Sequence, residues 1–257
     1  MTVNGRDPVL AALGELAEAP PRGLADRVFS DWVRVPSAFG DLYVAFSGQG
    51  VNFVRPVDAV RGEEEFAAEF HRELRRPLRA AQQPPSGLVT ALRRNRTRSV
   101  RVDLRHLTDF ERAVLETART IPAGQTRPYS WVAREIGSPR AVRSVGSALA
   151  RNPVPVLVPC HRVTRADGEP GEYVFGAEFG ERLLRAEDVD VDEVRELARS
   201  DVFYLGSDTT NIVCFPTCHN ARRISAPHRR GFRSVDAARK AGYRPCKHCR
   251  PALAGTA

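Results

Sequence analysis

The 257-residue sequence lacks any long apolar run and does not open on a charged segment followed by an apolar one. No membrane-spanning helix and no secretory leader are therefore expected, and the protein is expected in the cytoplasm. There is no internal repeat and no low-complexity tract, which removes the solenoid and fibrous classes. Cysteine is scarce, at five residues. An odd number in a reducing compartment, spaced as these are, argues against a disulfide framework. One stands alone at Cys160 and four cluster near the end. Acidic residues are nearly missing from two stretches. Residues 127–165 hold seven Arg and one acid, and residues 211–257 hold ten Lys or Arg and one Asp. With a net charge of +8, the chain favours a polyanionic partner, because each phosphate neutralised by Lys or Arg releases condensed counterions.

The length leaves room for one large domain or two to three small ones. Residues 42–54 form two β-rich runs around Gly48-Gln49-Gly50, a hairpin signal. Residues 63–78 carry Phe66, Phe70 and Leu74 at helical spacing before Pro77, and the Gln82-Gln83-Pro84-Pro85-Ser86 stretch then reads as a loop. After a short extended piece at 100–104, Thr108 and Glu111 fit a capping box, ahead of Phe110, Val114, Leu115 and Ala118 on one helix face. Pro122 and Gly124 stop that helix. Residues 129–136 and 140–150 then read as two short helices around Gly137-Ser138-Pro139, a helix-turn-helix pattern with Arg140, Arg143 and Arg151 on or near the second helix. Two such helices more often only pack a core. The apolar run 154–158 predicts a buried strand or turn ending at Cys160, and 178–187 predicts a helix with Leu183 and Leu184 inward. Residues 188–199 read as a linker or helical extension.

A lone cysteine is most often a small buried hydrophobe. A nucleophilic one must become a thiolate, which needs a base or a positive field, and His161 with Arg143, Arg151 and Arg162 supply candidates. A cysteine-protease pair is a rival reading, in which the adjacent His would act through a water or a second His. The strings Ile121-Pro122-Ala123-Gly124 with Tyr129, Arg143-Ser144-Val145-Gly146, Asn152-Pro153 and Pro159-Cys160-His161-Arg162-Val163 resemble the O6-alkylguanine-DNA alkyltransferase family. Gly171-Glu172-Tyr173 and Leu183-Leu184-Arg185-Ala186-Glu187 fit its tail. The resemblance is strong over about 103–187 and weaker, though compatible, over the N-terminal region from about Val33.

The resemblance implies a mechanism that these side chains can support. Glu187 orients His161, and His161 deprotonates Cys160 through a water so that the thiolate attacks the alkyl carbon in line. Tyr129 donates to N3 of the leaving guanine, and Asn152 braces the turn that holds Cys160. The target base is flipped out of double-stranded DNA, with Arg143 taking its place from the minor-groove side and Arg140, Arg151 and Tyr173 also contacting DNA. The thioether product is stable, so one molecule repairs one lesion. Glu111, Gly180 and Val174-Phe175 depart from the family's usual residues, and Phe175 is expected to narrow the pocket against bulky alkyl groups.

Cys214-x3-Cys218 and Cys246-x2-Cys249, separated by 27 residues, form two chelating pairs suited to one tetrahedral zinc ion. His219, His228 and His248 are substitute ligands, but the paired cysteines suffice. A purely structural role is one reading, since zinc can supply much of the folding energy of so short a segment. The segment also resembles the zinc module of the adaptive-response Ada family, in which the cysteine matching Cys214 accepts a methyl group from a backbone phosphotriester. Its placement at the C-terminal end and Phe215 in place of the usual Arg are departures.

The expected fold is α+β: an N-terminal RNase H-like α/β domain (1–103), implied by the resemblance, then a helical alkyltransferase active-site domain with the helix-turn-helix (104–190), then the four-cysteine zinc module (201–257). The expected protein is a monomer that repairs O6-alkylguanine in DNA through Cys160, with Cys214 a second methyl acceptor and zinc the metal, nucleoid-associated when bound and without a membrane partner. Loss of zinc is expected to unfold the module and leave Cys160 reactive. The alternatives are a zinc-dependent DNA-damage sensor or regulator in which Cys160 is vestigial, and a thiol hydrolase.

Overall fold

The computed structural model describes residues 28–169, 171 and 173–251. Residues 1–27 of the expected first domain, Glu172 of the Gly-Glu-Tyr string and residues 252–257 of the zinc module lie outside the described residues. Strands β1 (Ser30–Ser37), β2 (Gly40–Ser47), β3 (Gly50–Pro56) and β4 (Leu78–Ala80) form one sheet in the order β3-β2-β1-β4. Only the β1–β4 pair is parallel. The expected hairpin is β2–β3, and at its turn Gly50 has φ +130 with no room for a Cβ, which would lie 2.6 Å from the Arg101 carbonyl oxygen.

Leu42 to Ala45 are buried without alternation because both sheet faces are covered. Tyr43, Ala45 and Phe53 meet Phe66 and Phe70 of helix α1 (Glu63–Leu74), while Leu42, Val44 and Val54 face the larger core. Glu63, Glu64 and Glu65 suit the positive end of α1. The helix ends earlier than expected, at a left-handed Arg75 (φ 53), because Pro77 bars the helical conformation from the residue before it.

Beyond α2 (Leu88–Arg93), helix α3 (Asp109–Arg119) begins with the expected capping box. Thr108 accepts from the Glu111 amide at 3.3 Å, and Glu111 accepts from the Thr108 amide at 3.1 Å. Helices α4 (Tyr129–Glu135) and α5 (Val142–Ala150) flank a turn with Gly137 at φ +73. The second helix starts two residues later than expected, so Arg140 lies in the turn, where the Ala141 amide bonds the Ser138 carbonyl. Arg151 caps its C-terminal end.

Residues 154–158 form a turn. Pro153, Pro155 and Pro159 carry no ladder donors, and Val156 is held at φ 72, an outlier for a β-branched residue. A 3-10 turn (Cys160–Arg162) leads into β6 (Val163–Thr164), which pairs in parallel with β5 (Arg127–Pro128).

Helix α6 (Ala177–Ala186) ends at Glu187, and α7 (Val191–Arg199) occupies the expected linker. Arg195 joins the two through Glu181 at 2.7 Å. The last part holds β7 (Tyr204–Ser207), β8 (Ile212–Cys214), α8 (His219–Arg222), β9 (Arg229–Phe232), α9 (Val235–Lys240) and β10 (Arg244–Pro245), with strand order β10-β8-β7-β9. It is not a separate bead. A single buried cluster runs from Val33 and Leu42 through Leu115, Trp131 and Leu183 to Phe215, Cys218 and Cys249. Among the described residues no helix is long and apolar enough to cross a membrane.

Candidate active site and metal centre

Cys160 opens the 3-10 turn and is buried. The side-chain amide of Asn152 donates both to its sulfur at 3.2 Å and to the Val158 carbonyl at 3.0 Å, while the Asn152 oxygen accepts from the Val154 amide at 3.0 Å. One side chain thus closes the whole proline-rich turn and touches the nucleophile. Burial pushes the Cys160 thiol up to about 11, although Asn152 and Tyr173 pull the other way. Tyr173 is buried beside the sulfur, near enough to act electrostatically, but among the described residues its hydroxyl has no aligned hydrogen bond.

His161 Nε2 lies 3.1 Å from Glu187 Oε1. A carboxylate only accepts, so Nε2 carries the proton and Nδ1 is left as a lone-pair acceptor. Nδ1 is buried with no hydrogen-bond partner among the described residues. Burial lowers the His161 pKa against the opposing pull of Glu187, which keeps the imidazole neutral near pH 7. The buried Glu187 carboxylate also receives Arg162 Nε at 2.8 Å and Nη2 at 2.7 Å, Asn95 Nδ2 at 2.9 Å and the Gly124 amide at 3.3 Å. Burial alone would raise its pKa. The His161 and Arg162 hydrogen bonds and charges outweigh that and hold it well below the usual carboxylate range.

Two of the arginines expected to polarise Cys160 are therefore engaged elsewhere. Arg162 is the bidentate partner of Glu187, and Arg151 pairs with Glu111 at 2.8 Å. That second pair also accounts for Glu111, which replaces the family's usual residue. Arg143 is exposed on α5 and Arg140 in the turn before it. Both line an open groove of about 1280 Å³ with Tyr129, Gly171 and Tyr173. The same Tyr129, Gly171 and Tyr173 line a smaller cavity of about 10 Å³ against Cys160 and His161, so the groove leads to the thiol. Gly171 is pressed on Tyr129, where a Cβ would overlap the hydroxyl. Gly180 lies under Tyr173, where a Cβ would come within 3.2 Å of the Tyr173 Cβ. Contrary to expectation, Phe175 lines neither space and packs on Tyr173 and Phe179 at ring distances of 5.8 Å. Sequence reasoning missed Asn95, which sits in an Arg-rich segment with no motif to mark it.

The sulfurs of Cys214, Cys218, Cys246 and Cys249 are buried and lie within 4.8 Å of one another. A tetrahedral zinc ion with four bonds of about 2.3 Å needs sulfurs roughly 3.8 Å apart, so the cluster fits one Zn(2+). The candidate histidines are not needed. His219 and His248 stack edge to face at 4.3 Å, and His228 bonds Asp208 at 2.8 Å. Buried Arg127 stands beside the cluster, with its guanidinium 5.3 Å from the Phe215 ring and 5.8 Å from that of Trp131. Four thiolates on zinc carry a net −2, which this cation offsets. Burial lowers the Arg127 pKa while all four cysteines raise it, Cys249 most. Phe215, which stands where the resemblance leads one to expect Arg, is thus a contact between the module and the rest of the chain.

Two segments match known families. Residues 109–189 match "6-O-methylguanine DNA methyltransferase, DNA binding domain", and residues 193–252 match "Metal binding domain of Ada". A methylated-DNA--protein-cysteine methyltransferase of Methanosarcina acetivorans is 44% identical over 80 residues, covering 31% of this chain and 51% of the relative. The bifunctional transcriptional activator/DNA repair enzyme Ada of Escherichia coli is 45% identical over 80 residues, covering 31% of this chain and 23% of Ada. The chain spans about half the length of the first of these curated relatives. The crystal structure of Mycobacterium tuberculosis O6-methylguanine methyltransferase superposes with a TM-score of 0.50 at 32% identity, covering 62% of this chain and 92% of that one. On the extent of that match and the Pro-Cys-His-Arg-Val turn it rests on, the chain belongs to the O6-methylguanine-DNA methyltransferase family, and it carries an Ada-type zinc site.

Proposed function

We propose that this protein repairs DNA by one irreversible transfer of an alkyl group from O6-alkylguanine to Cys160. The observation that carries the reading is the buried constellation of Cys160 on Asn152 and His161 on Glu187 at the end of an arginine-lined groove. His161 Nδ1, through a water, takes the Cys160 proton. The sulfur forms a bond to the alkyl carbon as the carbon–O6 bond breaks, and the electron pair leaves on the guanine, whose N3 is hydrogen-bonded by Tyr129. The partner is double-stranded DNA entered from the minor groove. Arg143 fills the space of the flipped base, with Arg140 and Arg151 on phosphates and Tyr173 against the extruded base.

The same reading divides the chain into an N-terminal RNase H-like domain (1–103), an active-site domain whose α4 and α5 form the helix-turn-helix (104–190) and the zinc module (201–257). The order β3-β2-β1-β4 with a parallel outer pair supports the first assignment. The protein acts in the cytoplasm on the nucleoid as a monomer.

In the module, Cys214, Cys218, Cys246 and Cys249 would hold one zinc ion, which would keep them as thiolates. Cys214, which lines a cavity of about 350 Å³ with Thr209, Thr210 and Asn220, is a second acceptor. Its sulfur takes a methyl from a phosphotriester, and the phosphodiester anion leaves. With zinc held, methylation of Cys214 would change the charge of the four-cysteine site from −2 to −1, which would raise DNA affinity, most visibly at low salt.

Mass spectrometry after incubation with duplex carrying O6-methylguanine and methyl phosphotriesters tests both acceptors. One methyl on Cys160 and one on Cys214 are expected. Methyl-free Cys160 would replace repair by damage sensing, and methyl-free Cys214 would leave the module a DNA-binding or structural part.

Arg143→Ala should slow transfer from duplex by at least about tenfold, given a flipping cost of a few kcal/mol, and much less from single strands. Rates on the two substrates measured side by side decide it, since equal losses would make Arg143 a phosphate anchor only.

A further inference from the structure

The zinc module grips the alkyl-transfer site at the stretch between Gly124 and Glu135. On one side, Thr217 Oγ1 accepts the Thr126 amide at 2.9 Å and lies 3.2 Å from Thr126 Oγ1, with both residues buried. Arg222 Nη2 donates to the Gly124 carbonyl. Gly124 is wedged between the module and Glu187. Its φ is +73, a Cβ there would lie 2.7 Å from the Glu187 carbonyl oxygen and 3.4 Å from Arg222 Nη2, and its own amide reaches the Glu187 carboxylate. On the other side, Trp131 Nε1 donates to the Cys249 carbonyl at 3.1 Å, Arg134 to the Arg250 carbonyl at 2.6 Å, and Arg250 pairs with Glu135 at 2.5 Å. Trp131, Arg134 and Glu135 all belong to α4, whose first residue is Tyr129.

Each grip includes a residue adjacent in sequence to one of the four cysteines that would hold the metal. Thr217 precedes the ligand Cys218, which caps the helix that carries Arg222, and Arg250 follows the ligand Cys249. Fixing the two chelating pairs around one ion therefore fixes both grips. Between them run β5, paired to the strand that follows Cys160–Arg162, and Tyr129.

We propose that Thr217 and Arg222 are positioning residues for alkyl transfer, and that the zinc-bound module is a working part of the Cys160 site. The inference rests on the repair reading above, and it replaces the expectation that Cys160 stays reactive without zinc. Glu187 and Tyr129 face opposite ends of one short segment, and without the module that segment keeps its pairing to β6 and the Gly124 amide bond to Glu187 but loses the Thr217 and Arg222 bonds.

The test uses the full chain with Thr217→Val and Arg222→Ala combined, zinc measured per molecule, and three readouts: single-turnover methyl transfer to Cys160, the pH profile of Cys160 carboxamidomethylation by iodoacetamide, and hydrogen exchange of the Gly124 and Thr126 amides. At one zinc per chain, exchange should accelerate at least tenfold, transfer should slow about tenfold and the pH profile should move, while Arg222→Lys alone should stay within about threefold of wild type. Full-rate transfer with an unmoved profile overturns the proposal. If the double variant does not hold zinc, the wild-type chain is followed as a chelator withdraws the metal. Transfer falling in step with zinc supports the coupling, and undiminished transfer overturns it. If wild type transfers no methyl at all, the repair reading fails instead, and the coupling is then decided by the exchange rates and the pH profile.

Discussion

Cys160→Ser is expected to reduce methyl transfer to the limit of detection while leaving duplex affinity within about twofold of wild type. A serine hydroxyl does not ionise near neutrality even with a histidine behind it, and the oxygen is a far weaker nucleophile toward saturated carbon than sulfur. The substitution is nearly isosteric, so Asn152 keeps its bond to the Val158 carbonyl and the turn stays closed. The groove with Arg140 and Arg143 contains no atom of residue 160, which is why binding should survive. Protein-bound methyl counted after incubation with O6-methylguanine duplex, beside an affinity titration, is the measurement. Appreciable transfer onto the serine variant would end the mechanism.

Glu187→Gln is expected to be the most destabilising single change at the site, by about 3–5 kcal/mol. The side chains of Glu187 and Arg162 are 0% and 7% exposed, and Glu187 accepts five hydrogen-bond contacts, two of them from one guanidinium. Glutamine replaces an acceptor with a donor that must face other donors, and it leaves Arg162 charged, buried and unpaired. That loss is large beside a total stability of about 5–15 kcal/mol. Urea unfolding gives the number, and a loss under about 1 kcal/mol would refute the account. Arg162→Met combined with Glu187→Leu should cost less than the two single changes added together, because no charge is stranded.

The pH dependence has a definite sign. Glu187 is depressed below its ordinary 4.5, so its contribution is complete above that pH and is lost as pH falls through the folded value. His161 is depressed below its ordinary 6.5. Below 6.5 the unfolded chain binds a proton that the folded one refuses, so stability also falls there. The glutamine variant should keep the His161 slope and lose the steeper one beneath it.

Features carried by local chemistry were legible in the sequence. The Gly48-Gln49-Gly50 hairpin, the Thr108–Glu111 box and the four zinc ligands depend on neighbours a few residues apart or on spacing alone, and each is present in the structure. The run at 154–158 was read as a buried strand or turn, because apolar composition alone cannot distinguish the two, and it is a turn, with Pro155 inside it and Pro153 and Pro159 on either side. Glu187 was placed beside His161, but two of its other partners, Gly124 and Asn95, lie 63 and 92 positions away, and no spacing rule reaches that far. Phe215 was legible only as an anomaly. An apolar ring where a charge is usual marks a covered surface, yet nothing in the sequence names Arg127 and Tyr204 as its cover.

The closed turn around Cys160 also bears on oxidation. Burial pushes its thiol up to about 11, so the resting sulfur at pH 7 is held as the thiol, and peroxide attacks the thiolate. The cavity against the sulfur, about 10 Å³, holds little more than one water. A single-use acceptor that was easily turned to sulfenic acid would be spent before it met a lesion. Here the resting protein keeps its sulfur protonated and covered, so an oxidant that readily consumes exposed, low-pKa cysteines elsewhere in the cell should leave Cys160 intact.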